Sequence, residues 1–291
     1  MLMASPLFLC LYMSTTINNK KHRISIIGCG WYGMAVAKQL LTAGYTVKGS
    51  TTTPEKLTHL ADAGILPYLL DFGSDKSVDP KDFFTSEILI VCIPPKRNST
   101  TLVQYTDKIA TIAKLATQYK TGHILFISST SVYADTNSIV DELTVANPHT
   151  PSGHQILIAE QTLQQNPNFT TTILRFSGLV GPDRHPGRFF TGKKDIPNGQ
   201  APVNLIHLDD CIGLTLEIIK RKAFGYIYNA SSADHPQKQH FYQQAIQAAG
   251  LAEATFLDEL KEWKIISSIQ VPKLLNYTFK TANWKQWLKE F

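Results

Sequence analysis

Arg23-Ile24-Ser25-Ile26-Ile27-Gly28-Cys29-Gly30-Trp31-Tyr32-Gly33-Met34-Ala35-Val36-Ala37 carries the decisive pattern of this chain. A β-branched run meets three glycines spaced Gly-x-Gly-x-x-Gly and continues into residues that suit a helix, so the stretch reads as strand, tight turn and helix start. In such a turn the first glycine permits the bend, the second lets a pyrophosphate approach the backbone, and the third allows the helix to pack closely on the strand. The amides at the helix start, at the positive end of its dipole, would hold the phosphates. Gly28, Gly30, Trp31, Tyr32 and Gly33 are therefore candidate cofactor-binding residues. Alone the motif is weak, because a glycine-rich structural turn has the same composition. Its weight depends on the rest of the chain.

Outward from this unit the chain alternates short β-rich runs with helical stretches. Strands are expected at Arg23 to Gly28, Tyr45 to Ser50, Ile65 to Leu70, Ile88 to Cys92, His123 to Ile127, Thr171 to Phe176 and Tyr226 to Asn229. Helices are expected at Tyr32 to Thr42, Pro54 to Ala63, Thr100 to Tyr119, Gly153 to Gln165, Asp209 to Lys220 and Gln239 to Ala249. This order predicts an α/β protein with a Rossmann-type, doubly wound parallel sheet of about seven strands. Residues 21–180 would form the dinucleotide-binding domain, completed by 203–230. The Gly-, Pro- and Lys/Arg-rich stretch 181–202 and residues 231–291 would build a small C-terminal substrate lobe.

The 291 residues are 43% apolar and 18% charged, enough for a full globular core. A net charge of +5, with no run of five like charges, argues against a dedicated nucleic-acid binder. Cys10, Cys29, Cys92 and Cys211 lack metal-ligand spacing and read as free thiols of a reducing compartment, with no metal site and a cytoplasmic location expected. Pro6 to Met13 resembles a short signal-peptide core. It lacks a basic flank and a cleavage site and is too short to span a bilayer, so no membrane association is expected. Residues 1–20 are read as a disordered extension, with Met1 or Met13 as the start. A monomer or homodimer acting on a small molecule is the expected form.

About twenty residues beyond the glycine turn, NAD-preferring sites carry an acidic residue for the ribose 2′-hydroxyl. Here stand Lys48-Gly49-Ser50-Thr51-Thr52-Thr53. With no carboxylate to repel a 2′-phosphate, Ser50, Thr51, Thr52 and Lys56 favour NADP, with NAD still possible. An ordinary Thr-rich loop in which Thr53 caps the next helix is the plainer alternative. Asp71, after the third strand, is simply a turn residue or, as the family resemblance carried by the later motifs implies, an Asp near the adenine.

Farther along, His123-Ile124-Leu125-Phe126-Ile127-Ser128-Ser129-Thr130-Ser131-Val132-Tyr133 is followed by Pro151-Ser152-Gly153-His154-Gln155-Ile156 and Glu160. Later come Ile173 to Pro182, Gly181 to Phe189 (Gly-Pro-Asp-Arg-His-Pro-Gly-Arg-Phe) and Val203 to Asp210. Together these resemble the extended short-chain dehydrogenase/reductase family, from Arg23 to near the end of the chain. They are most similar to its atypical, NAD-dependent epimerase/dehydratase-like branch, which includes the bacterial YeeZ proteins. The resemblance implies a nicotinamide cofactor and an oxidoreductase or epimerase acting on a small sugar-like or anionic substrate. In that family a Tyr and, four residues on, a Lys form the proton relay; here those positions hold Ser152 and Ile156. General acid/base help is worth about 10² to 10⁴ in rate, so the substitution bears on whether the protein turns over at all.

Ser129 matches the family's Ser/Thr that hydrogen-bonds the reacting oxygen, and Tyr133, four residues on, is the candidate replacement acid/base or else a substrate-side or packing residue. His149 is a third option. His154 lies two positions from Ser152, about 200° round a helix, and should face away. Arg184 and Arg188 could clamp an anionic group or lie in a solvated loop. His207 with Asp209 and Asp210 reads as a helix start with an Asp as N-cap. Two further readings remain: a non-catalytic NADP(H)-binding sensor, and a dehydrogenase of the 6-phosphogluconate or ketopantoate reductase type. The latter should continue into a large all-helical domain and sits poorly with Ser128 to Tyr133.

Overall fold

A computed structural model describes residues 23–72, 80–95 and 103–290, with 103 and 104 described by backbone alone. The expectations for residues 1–20, Cys10 and the helix start at Thr100 lie outside the described residues. The strands are β1 (Arg23–Ile27), β2 (Thr46–Thr51), β3 (Leu66–Leu69), β4 (Ile88–Val91), β5 (His123–Ser129), β6 (Ser138–Val140), β7 (Thr170–Phe176), β8 (Gly178–Val180), β9 (Leu205–His207), β10 (Ile227–Ala230) and β11 (Lys264–Ile266). The helices are α1 (Trp31–Thr42), α2 (Lys56–Asp62), α3 (Lys81–Phe84), α4 (Val103–Gln118), α5 (Pro151–Gln164), α6 (Leu208–Arg221), α7 (Lys238–Ala248) and α8 (Trp284–Trp287).

Seven strands pair in the order β10-β7-β5-β4-β1-β2-β3, all parallel. Every residue of β4, and all of β1 beyond Arg23, is buried, as a sheet covered on both faces demands. One face packs on α1 and α6 through Val36, Leu40, Leu214 and Ile218; the other packs on α4 and α5 through Ile109, Ile112, Ala159 and Leu163. The chain winds from β1 out through β2 and β3, then restarts at β4 on the other side. The order thus reverses between β1 and β4, where a doubly wound sheet opens its ligand crevice at the carboxyl ends of the strands.

Helix α2 begins two residues later than expected. Thr53 does not cap it through its side chain; its carbonyl instead accepts from Lys56 N–H at 3.1 Å. At α6 the expected Asp cap is replaced by His207, whose Nδ1 accepts from Asp209 N–H at 3.2 Å. Strand β9 falls in the strand-to-helix element that the resemblance implies for Val203 to Asp210, whereas the three-residue strands β6, β8 and β11 are too short to show a period in the sequence. They pair as β6 with β11 and β8 with β9.

Residues 181–202 hold one 3₁₀ turn, Pro186–Phe189, packed on α7. A separate apolar cluster of Val180, Val203, Leu205, Phe241, Tyr242, Trp284 and Trp287 lies under this segment. Not all of 231–291 belongs there: Val271 and Leu275 pack into the α1/α6 core of the main domain. Two buried carboxylates hold that returning stretch. Glu142 accepts the amides of Asn229, Ile269 and Gln270, and Asp210 accepts those of Lys280 and Thr281 together with the Tyr277 hydroxyl. Charge-assisted bonds to several amides are how a buried carboxylate is tolerated. Among the described residues no helix is long and apolar enough to cross a membrane, and no group of three or more His, Cys, Asp or Glu could hold a metal ion.

Candidate cofactor cleft and active site

The three glycines of the opening turn have different physical causes. Gly28 has φ +89°, and a Cβ there would lie 2.9 Å from Ile93 Cγ2. A Cβ on Gly33 would lie 2.3 Å from the Gly28 carbonyl oxygen, so only glycine lets α1 approach β1 this closely. A Cβ on Gly30 would meet nothing within 4 Å. The first and third glycines are required by the protein's own packing, whereas Gly30 lines the cleft and its bare backbone leaves room for a ligand. Helix α1 begins without a side-chain cap or an acidic residue in its first turn, leaving its terminal amides and dipole for an anion. A dinucleotide pyrophosphate fits this start.

The cleft encloses about 360 Å³ beside the ends of β1, β2, β3 and β4. Gly28, Gly30, Ser50, Thr51, Thr52, Lys56 and Asp71 all line it. Ser50 holds the turn itself: its Oγ accepts from Gly28 N–H at 3.3 Å and its carbonyl from Cys29 N–H at 3.0 Å. Thr51 Oγ1 accepts from Thr53 N–H at 3.1 Å, while Thr52 and Lys56 are exposed. Asp71 faces Lys108 at 3.6 Å, so its charge is partly answered within the wall. Tyr105, Lys108 and Gln155 also line the cleft. No local pattern singles them out, because α4 and α5 reach the site only through the tertiary fold.

Trp31 and Tyr32 send their side chains elsewhere. The Tyr32 hydroxyl lies 2.5 Å from Thr215 Oγ1 on α6, and its ring meets Phe176 edge-on at 5.1 Å. Trp31 Nε1 donates to the Pro182 carbonyl at 2.9 Å. Cys29 is buried, and burial pushes its thiol up to about 12, so it is inert.

The β5–α5 end is organised around a buried ion pair that sequence reasoning missed. Arg175 on β7 donates from Nε and Nη2 to the two oxygens of Glu160, at 2.9 and 2.5 Å, and Ser128 Oγ donates to Glu160 Oε1 at 2.5 Å. Arg175 Nη1 also donates to the Tyr133 hydroxyl at 2.6 Å, which in turn donates to the Asp141 carbonyl at 2.9 Å; Asn229 Oδ1 lies 3.1 Å away. Tyr133 is 2% exposed, and burial raises its pKa despite Arg175. The phenol expected as a replacement acid/base is thus held in the core and is a poorer proton donor than free tyrosine. A buried Arg and Glu on one strand-helix frame could have signalled this network, since charges so placed must pair.

Ser129 Oγ accepts from Ser131 N–H at 3.1 Å, leaving its own O–H hydrogen for a ligand or water. Ser152 is half-buried in the first turn of α5, whose N-cap is Thr150. Ile156, 7% exposed, belongs to the apolar cluster that also holds Val132, Tyr133 and Tyr105. His149 and His154 are exposed. Arg184 turns inward, donating from Nε to the Leu179 carbonyl at 2.9 Å and covering the Trp31 ring at 5.4 Å; Arg188 is exposed.

Residues 23–150 match a family described as the NAD binding domain of 6-phosphogluconate dehydrogenase. Beyond them the chain does not enter a large helical domain but adds β7 and β10 to the same sheet. Among solved structures, a short-chain dehydrogenase/reductase superfamily protein from Agrobacterium tumefaciens with bound NAD superposes with a TM-score of 0.76 at 15% identity, covering 92% of this chain and 95% of that one. UDP-glucuronic acid 4-epimerase from Bacillus cereus, in complex with NAD, gives 0.74 at 18% identity over 92% and 99%. These likenesses establish the fold. Over 263 residues the chain is 34% identical to protein YeeZ of Escherichia coli strain K12, spanning 89% of this chain and 96% of that protein. The chain belongs to the YeeZ family, and it has the fold of short-chain dehydrogenases/reductases and sugar-nucleotide epimerases.

Proposed function

We propose that the protein binds a nicotinamide dinucleotide in the cleft, with NADP(H) preferred, and acts as an oxidoreductase or epimerase on a small sugar-like or anionic substrate without the usual Tyr–Lys relay. The observation that carries the cofactor reading is Gly30, whose missing side chain serves no packing need of the protein and opens onto the cleft. The helix α1 amides would receive the pyrophosphate. Thr51, Thr52 and Lys56, with no carboxylate on β2, would receive a 2′-phosphate.

When bound, the nicotinamide supplies hydride donation and acceptance. The chain's own contribution is orientation. Ser129 offers a hydroxyl at the end of β5, fixed by the Ser131 amide, and Gln155 adds a polar group to the cleft wall. Neither is an acid or base at neutral pH, so the proton would come from water hydrogen-bonded at Ser129, with slower turnover. A specific observation favours a second reading, a non-catalytic NADP(H)-responsive protein: Ile156 fills the relay's lysine position with packing, and Tyr133 is locked by Arg175.

Fluorescence titration with NADPH and NADH tests the cofactor reading. Tighter NADPH binding is expected, weakened about tenfold in Lys56→Glu while NADH binding stays within about twofold. Equal or reversed affinities would overturn the preference. Any substrate-dependent NADPH oxidation should vanish in Ser129→Ala, and activity that survives this change would remove Ser129 from the site.

A further inference from the structure

The parallel sheet has two ends, and the cleft described above uses only one. At the other, beneath the first residues of β1, β4 and β5, lies a cavity of about 600 Å³ between the C-terminal ends of α4 and α6. That is ample for a small organic ligand. Arg23 and Ile27 are four residues apart on β1, which places the two sites roughly 13 Å or more apart.

Three features coincide in this second cavity. One wall carries an aromatic pair, with the Phe224 ring stacked on His123 at 4.1 Å and an interplanar angle of 15°. Two of its lining residues carry a buried polar atom that has no partner among the described residues, Oγ of Ser86, a residue only 7% exposed, and Nδ1 of His123. Buried polar atoms are nearly always paired, so two orphans just behind one cavity wall offer hydrogen bonds to a ligand that presses into it. The rim is also basic, with Arg23, Lys120 and Lys222 exposed around it against the single carboxylate of Glu87.

The C-terminal dipoles of α4 and α6 would by themselves repel an anion. Lys120 and Lys222, placed just past those ends, reverse the local sign. Both adopt the left-handed conformation, with φ +57° and +54°, where glycine is the ordinary residue. Two lysines tolerated at strained positions on the same rim set its charge.

We propose that this cavity is a second ligand site, separate from the cofactor cleft, for a small flat aromatic anion. Its ring lies against the Phe224–His123 stack, its acidic group is held by Lys120, Lys222 and Arg23, and Ser86 and His123 hydrogen-bond its polar atoms.

The test titrates the full chain with 1-anilinonaphthalene-8-sulfonate, a flat aromatic anion, with and without saturating NADPH. A site that survives NADPH is expected. Its affinity should fall at least tenfold in the Lys120→Glu/Lys222→Glu double variant and also in Phe224→Ala, with the urea midpoint recorded for each to confirm folding. A Lys194→Glu/Lys289→Glu double variant changes net charge equally far from the cavity and should leave affinity within about twofold. Complete displacement by NADPH would overturn the proposal. So would undiminished affinity in the Lys120/Lys222 variant, or an equal loss in the Lys194/Lys289 control.

Discussion

The two ends of the principal cleft are built on opposite principles. At the Gly28–Gly33 end the protein leaves groups free: helix α1 is uncapped, Gly30 is bare, and Thr52 and Lys56 stand exposed. At the β5–α5 end it ties groups up, with Tyr133, Glu160, Arg175 and Ser128 in one closed network and Ile156 sealed by apolar neighbours. Free amides and hydroxyls await an anion, whereas a satisfied buried network resists any change of charge. Binding and proton transfer can therefore diverge within one fold. The glycine-turn end is constrained by backbone geometry, and the β5–α5 end only by side chains.

The largest test of this contrast is Arg175→Leu, which leaves the buried Glu160 without its cationic partner and with only the Ser128 hydroxyl beside it. A loss of about 3–5 kcal/mol is expected in urea unfolding. A loss under about 1 kcal/mol would mean the network is not the keystone of that end. Next come the glycines as a pair. Gly33→Ala forces α1 off β1 and should cost about 1–3 kcal/mol of stability along with cofactor affinity. Gly30→Val should cost under about 0.5 kcal/mol of stability yet weaken NADPH at least tenfold. If both variants lose stability alike, the distinction between packing glycine and ligand glycine fails.

Tyr133→Phe removes one buried hydroxyl from the network and should cost about 1–2 kcal/mol, with any turnover changing no more than the folded fraction does. Abolished turnover at full stability would restore Tyr133 as an acid/base. The smallest effect is a pH dependence in the second lobe. Burial lowers the His235 pKa despite the nearby Val203 carbonyl. The unfolded chain therefore takes up a proton near pH 6.5 while the folded one does not. Its contribution to stability is full above that value and is lost as pH falls through it toward the lower folded value. His235→Asn should flatten the unfolding midpoint between pH 5 and 7, and an unchanged slope would assign the dependence to other groups.

Much of this was open to reading in the chain. Seven strands and six helices follow from β-branched runs and helical spacing, because a doubly buried parallel sheet needs continuous apolar strands that stand out locally. The glycine turn and the Thr-rich wall were likewise local, and both line the cleft. Other features were not local. The cap of α6 passed from Asp to His207 because the ring Nδ1, rather than a carboxylate, meets the Asp209 amide. Tyr32, adjacent to Gly33 in the motif, turned into the α1/α6 core because helix geometry points it away from the cleft.

The sequence by itself determined the α/β alternation, the glycine turn that opens α1, and Ser152 and Ile156 where the family resemblance implies Tyr and Lys, since each depends on residue types at fixed short spacing. Only the tertiary structure decided what surrounds those positions. Glu160 and Arg175 are 15 residues apart, and Tyr133 and Asn229 are 96 apart. Whether a hydroxyl is a free acid or a locked strut depends on partners that meet only when β5, β7, β10 and α5 pack together, and hydrogen bonding in a low-dielectric core is set by that meeting.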